Sequence, residues 1–176
     1  MKTLKIVNIL FIIVFLNACN QTKLLSDIDN LEDQVTDALS ELQDLKGIDF
    51  KNDKAKAHKL IGQLSPYFEQ LEGDDRMTLV SLSNTEKANK KFYSRLEKLE
   101  KDLNYSVSQL LALKIELKNK EISPEDAQKY FQDETIIAKN LLLRFKGEKA
   151  QIQYLQDHYK ELLPKGETLT KRLTSE

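Results

Sequence analysis

A single cysteine in 176 residues forbids an internal disulfide and leaves no set of thiols to hold a zinc ion. Two histidines, His58 and His158, are too few for most metal motifs. Neither follows a glutamate by three positions, so the Glu-x-x-His pairs of di-metal helical bundles are missing. His-Glu-x-x-His and Cys-x-x-Cys-His are missing too. A haem held by a histidine and Met77 stays open as a minor reading, against histidines that simply sit in solvent or at a packing edge. The five glycines are scattered, with no phosphate-cradling loop and no Gly-x-Ser-x-Gly elbow. No enzyme activity and no cofactor are therefore expected. Charge of one sign is lacking as well: 27 basic residues stand against 28 acidic ones, no footprint for nucleic acid. With three prolines, no tryptophan and abundant leucine, lysine and glutamate, the composition favours long helices over sheets.

Long apolar runs are absent after residue 19, and a bilayer span needs roughly 20 such residues. The one apolar run stands at the start. Lys2 and Lys5 make a short basic region, Ile6 to Leu16 follow with only Asn8 interrupting, and Ala18 precedes Cys19. That length suits the core of a secretory signal better than a membrane span.

Leu16-Asn17-Ala18-Cys19 resembles the lipobox of bacterial lipoproteins: a large aliphatic residue at −3, a small one at −1, then the cysteine. Asn17 departs from the alanine, serine or threonine more usual at −2. The resemblance implies that the Cys19 sulfur receives a diacylglycerol, that residues 1–18 are removed, and that the new N-terminus is acylated. Two or three acyl chains hold firmly, at about 0.8 kcal/mol per buried methylene. No thiol then remains for other chemistry. Without Lys2 and Lys5 the basic residues fall to 25 against 28 acids, a net charge of −3. Asn20 is not the aspartate associated with inner-membrane retention in enteric bacteria, and Asn20-Gln21-Thr22-Lys23 lacks early acidic residues associated with surface export in Bacteroidetes lipoproteins. These features favour an outer-membrane anchor facing the periplasm over surface exposure. The alternatives are an ordinary secretory signal with a chance cysteine, or an uncleaved anchor.

Residues 19–23 read as a short tether, about 17 Å if fully extended, so the folded domain begins near the bilayer. From there Leu24, Ile28, Leu31, Val35, Ala38, Leu42 and Leu45 alternate spacings of four and three, the seam of packed helices. Ser26 and Asp29 read as a capping box and Gly47 as the stop, giving a helix over about 24–46. A second amphipathic segment covers about 52–72 with Ala57, Leu60, Ile61, Leu64, Phe68 and Leu71 inward. Pro66 either kinks it or opens a separate short helix. Gly73-Asp74-Asp75 reads as a turn, and Met77–Ser83 is ambiguous because Thr and Ser weaken helix propensity. Ser83 and Glu86 repeat the capping pattern ahead of a third helix, about 84–120. Its seam is Phe92, Leu96, Leu99, Leu103, Ser106, Leu110, Leu113 and Leu117, and Glu86–Lys90, Glu97–Lys101 and Glu116–Lys120 stand at i,i+4.

Ser123-Pro124-Glu125-Asp126 is the clearest punctuation: a cap, a proline at the first helical position and an acidic box residue. The fourth helix, about 124–163, turns Ala127, Phe131, Ile137, Ala138, Leu141, Phe145, Ile152, Leu155, Tyr159 and Leu162 inward. Gly147 marks a kink or close packing, Pro164-Lys165-Gly166 reads as the stop, and 164–176 is a tail. The six tyrosines read as core and boundary residues. The short capped turn makes helices three and four an antiparallel hairpin, with the shorter pair completing it. The expected fold is all-α, an elongated antiparallel bundle or coiled coil of about four helices over 24–163.

One stretch breaks a local rule. Asp29, Asp33, Asp37 and Glu41 step by four along the first helix, where like charges disfavour it by a few tenths of a kcal/mol per pair. Basic residues cluster afterwards at Lys46, Lys51, Lys54, Lys56 and Lys59, then at Lys87, Lys90, Lys91 and Arg95. A solvated face balanced by those neighbours is the plain reading; a strip that docks a cation or a basic partner is the sharper one. The mature chain resembles the small coiled-coil lipoproteins of Bacteroidetes, on the lipobox, the heptads and Ile122-Ser123-Pro124-Glu125-Asp126 ahead of an aromatic-led helix. Those lipoproteins are of unknown function and the resemblance brings no active site; the expectation is a lipid-anchored envelope protein with a structural or interaction role. A ligand carrier with a pocket inside the bundle is the rival reading. The partners implied are the membrane, through lipid on Cys19, and a protein of unidentified kind.

Overall fold

The computed structural model describes the backbone of residues 2–175 and the side chains of residues 21–175. The protein is an all-α helical bundle: α1 (Lys2–Lys46), α2 (Lys51–Leu64), a 3₁₀ segment (Ser65–Gln70), α3 (Gly73–Lys90), α4 (Phe92–Lys118) and α5 (Pro124–Thr174). The signal and lipobox residues Leu16, Asn17, Ala18 and Cys19 lie outside the residues whose side chains are described.

The chain forms two compact units, residues 1–41 with 99–144 and residues 42–98 with 145–176. In the first, the seams expected from the heptads are buried: Leu24, Ile28, Leu31, Val35 and Ala38 on α1, and Leu99, Leu103, Leu110, Leu113 and Leu117 on α4. Ser106 is the polar member of the α4 seam, fully buried with an unpaired hydroxyl. Asp102 Oδ2 accepts from Arg144 Nη1 at 2.8 Å, so α4 and α5 run antiparallel from their shared turn. Gln21 Nε2 donates to the Leu117 carbonyl at 3.1 Å and Lys114 meets Asp29, which sets α1 antiparallel to α4.

The turn itself is built by two devices. Ser123 Oγ accepts from the Asp126 amide at 3.1 Å and donates to the Asp126 carboxylate at 2.7 Å, the cap expected from the sequence. At the end of α4 the Glu121 amide donates to the Glu116 carbonyl (2.9 Å) and the Lys120 amide to the Leu117 carbonyl (3.3 Å). That is the Schellman pattern, and it places Lys120 at φ 59°, the left-handed region that glycine adopts most cheaply. Lys120 therefore leaves the helix and the expected i,i+4 pair with Glu116 is not helical.

In the second unit α2, α3 and the end of α5 close a core of Leu64, Leu71, Leu79 and Leu169, with Ile61, Tyr67 and Leu173 against it. Gly166 lets α5 approach closely: a Cβ there would stand 2.9 Å from Leu82 Cδ1 and 3.1 Å from Leu60 Cδ1.

Several boundaries differ from the sequence reading. No glycine or proline interrupts residues 2–46, so α1 has no reason to start at 24; Ser26 is mid-helix, not a cap, and Gln21–Lys23 are helix, not tether. Ser65–Gln70 is the separate short helix, since Pro66 has no amide to continue α2. Gly73-Asp74-Asp75 is the first turn of α3, its carboxylates complementing the helix dipole. Met77–Ser83 is helical because Thr78 and Thr85 bury against the core and give their hydroxyls to carbonyls four residues back, at 2.9 and 2.8 Å. Ser83 is thus interior, and the third segment breaks instead at Lys91 (φ −105°, ψ 3°). Pro164 does not stop α5, which runs to Thr174 because Gly166 and Leu169 are packed beyond it. Gly147 has open space where a Cβ would be, so no close packing accounts for it. Phe68 and Ile137, expected inward, are 37% and 44% exposed.

Candidate functional site

The first candidate is the acidic strip on α1. Asp29 is half-buried, whereas Asp33, Asp37 and Glu41 are exposed, so the repeat of four places most of the strip in water. One cation that meets it comes from α4: Lys114 Nζ lies 2.5 Å from Asp29 and 3.0 Å from Glu32. Those two carboxylates, Asp29 first and then Glu32, hold the Lys114 ammonium above its usual range. The expected cations were the clusters at Lys46–Lys59 and Lys87–Arg95. Within the second unit Arg95 pairs with Glu148 instead, in a two-pronged contact of 2.7 and 3.1 Å. Lys114 could not be picked from spacing alone, because the register of α1 against α4 decides which lysine arrives.

A second cluster, not foreseen, sits where the loop after α1 enters the second unit. Tyr93 Oη donates to the Ile48 carbonyl and accepts from the Phe50 amide, both at 3.0 Å. This clamp sets the Phe50 ring 6.1 Å from both Phe92 and Tyr159. Asn89 Nδ2 donates to the Tyr159 hydroxyl at 3.1 Å, while Asn89 Oδ1 is buried without a partner. Burial pushes the Tyr159 hydroxyl up from its ordinary value, with the Asn89 bond opposing. The cluster links residues 70 positions apart and acts as a register device for α3 on α5. Of the other tyrosines, Tyr105 and Tyr130 are 63% and 55% exposed, contrary to a core reading.

His58 Nδ1 lies 3.2 Å from Glu86 Oε1, and His158 stacks on Tyr154 with ring centroids 3.8 Å apart. Met77 is exposed on α3. Among the described residues no group of three or more His, Cys, Asp and Glu side chains is placed to hold a metal ion.

Open grooves score the surface. One of about 590 Å³ lies between α3 and α5, lined by Asp74, Asp75, Glu161, Lys165 and Arg172 beside Met77. Another of about 360 Å³ is more apolar, with Ile61, Phe68, Leu79 and Val80. A third, of about 370 Å³, lies between α4 and α5 in the first unit, with Glu116, Tyr130, Asp133 and Glu134. Burial, then the neighbouring Asp133, raises the Glu134 carboxyl above the usual range. None of these grooves is an enclosed apolar chamber of the kind a carrier needs.

No helix among the described residues is long and apolar enough to cross a membrane. Comparison with protein-family models, with curated proteins and with solved structures gives no match.

Proposed function

We propose that this chain is a bacterial envelope lipoprotein, held to its membrane by lipid on Cys19, whose helical bundle has a structural or protein-interaction role. The observation that carries the reading is Leu16-Asn17-Ala18-Cys19 at the end of the apolar run, with the only cysteine of the chain at the modified position. Two features of the fold support it. No described helix is long and apolar enough to cross a membrane, in keeping with an anchor supplied by lipid. Gln21, two residues on, is already bonded to the fold, so an anchor at Cys19 would hold the bundle close against the surface.

An outer-membrane anchor facing the periplasm fits Asn20, which stands where a retention-type aspartate would be. The exposed carboxylates Asp33 and Asp37 suit contact with a basic partner, since Lys114 engages only the Asp29 end of the strip. The ligand-carrier reading gains nothing from the groove of about 590 Å³, which charged residues line.

The test is Cys19→Ala in the native host. Precursor of full length should accumulate without radiolabelled lipid. Normal processing and labelling of that variant would overturn the proposal.

A further inference from the structure

Resting on the interaction role proposed for the bundle but not on lipid at Cys19, we infer that the outer face of the α2–α3 pair docks an acidic amphipathic helix of a partner protein. On one side these two helices close on α5 through Leu169; on the other they leave the groove of about 360 Å³. They run antiparallel, since Ile61 and Ser65 line the groove with Leu79, Val80 and Ser83, while His58, one turn back, meets Glu86. Toward the 3₁₀ segment the face is apolar. Ile61 and Leu79 form its floor, and Phe68 and Val80, 37% and 36% exposed, its rim. Phe68 is fixed in place there: the Arg76 guanidinium lies 4.7 Å from its ring centroid and donates to its carbonyl at 3.1 Å.

The other half of the face is basic. Lys87 is the only charged residue lining the groove, and Lys54 and Lys90 stand one turn beyond His58 and Glu86 on their helices. None of these three lysines has an acidic partner among the described residues. The helix dipole accounts for Lys87 and Lys90 in the last turn of α3, but it opposes Lys54 in the first turn of α2. The acids nearby do not balance them. Glu86 is held by His58, and Asp49 and Asp53 line the groove between α2 and α5 instead. Glu69 meets Arg76 at 3.8 Å at the apolar end, where Glu72 precedes α3, and Glu97 lies on α4, seven residues past Lys90. A partner that fits is therefore apolar at one end and acidic at the other. Because the face is a groove between two helices, a third helix seats in it as a flat bilayer cannot. From Arg76 to Lys90 it is about 21 Å long at 1.5 Å per residue, the span of a helix of about 14 residues.

The chain has no tryptophan, and Asn84 is exposed in the groove wall, so Asn84→Trp gives a clean reporter. The full-length variant is purified from its host in non-ionic micelles. It is titrated with a synthetic helical peptide of about 14 residues, glutamates in its first half and a stripe of leucines in its second. Saturable binding with a shift of the emission to shorter wavelength is expected. Adding Lys87→Glu and Lys90→Glu should weaken it about tenfold, as should glutamine in place of the peptide's glutamates. A peptide with lysines in those places should bind the doubly reversed protein, which also shows that this protein is folded. No shift with the glutamate peptide, or equal affinity for the glutamine peptide, would overturn the inference and leave the Cys19 proposal standing. Quenching of the reporter by brominated phosphatidylglycerol vesicles, without peptide, would assign the face to lipid and overturn it. Burial of the reporter without peptide, with cross-linking between copies, would assign the face to self-association and overturn it too.

Discussion

Replacing Pro164 by alanine should stabilise the protein by about 2–3 kcal/mol. Pro164 lies inside α5, ten residues before its end at Thr174, and its side chain is exposed, so the change removes no core contact. An interior proline is about 3 kcal/mol less favourable than alanine, because it has no amide for the carbonyl four residues back and its ring crowds that carbonyl. Here the carbonyl is that of Lys160. Thr168 Oγ donates to the Pro164 carbonyl at 2.9 Å, and that bond survives the change because it uses only the backbone at 164. With a urea m-value of about 1–3 kcal/mol/M, the unfolding midpoint should rise by about 0.7–3 M. Urea melts followed by circular dichroism read it directly. An unchanged midpoint would show that the helix ends before 164 and that the packing of Gly166 and Leu169 was misassigned. A lower midpoint would show that the local bend is needed by the core.

Lys120→Gly should raise stability by about 0.5–1 kcal/mol, because glycine occupies φ 59° without strain, and a lower melting temperature would contradict the Schellman assignment. Glu134 binds its proton more tightly when folded, so stability should fall as pH rises from the ordinary carboxylate range through its raised value; Glu134→Gln should flatten that slope, and an unaltered profile would refute the burial argument. Asp29→Asn should lower the urea midpoint at low salt and lose its effect at high salt, whereas Asp37→Asn should leave it equal or slightly higher; the reverse order would place the pairing elsewhere on the strip.

Burial was legible wherever it follows from periodicity, and the seams from Leu24 to Leu42 and from Phe92 to Leu117 are buried as their spacing requires. Helix ends were less legible, because stop and start signals are local and tertiary packing outweighs them. Ser123 caps because nothing competes, while Ser26 and Ser83 sit in helices that run past them. Pro164 fails to stop α5 because Leu169 beyond it is buried, and Lys91 interrupts a helix that contains neither glycine nor proline at that point. Long-range polar partners were not legible at all. Lys114 reaches Asp29 across 85 residues, and the Asn89–Tyr159 bond depends on the register of α3 against α5, which no single-chain pattern encodes. Of the candidate sites, the acidic strip was visible as a repeat, but the arrival of Lys114 at its Asp29 end was not.

We propose lipid on Cys19 as the anchor of this bundle. Mass spectrometry of the detergent-extracted protein from its native envelope tests it most directly. The account predicts an N-terminal peptide that begins at Cys19 and carries a diacylglyceryl thioether, with no trace of residues 1–18. An N-terminal peptide that begins elsewhere, or an unmodified Cys19 in the extracted protein, would contradict it.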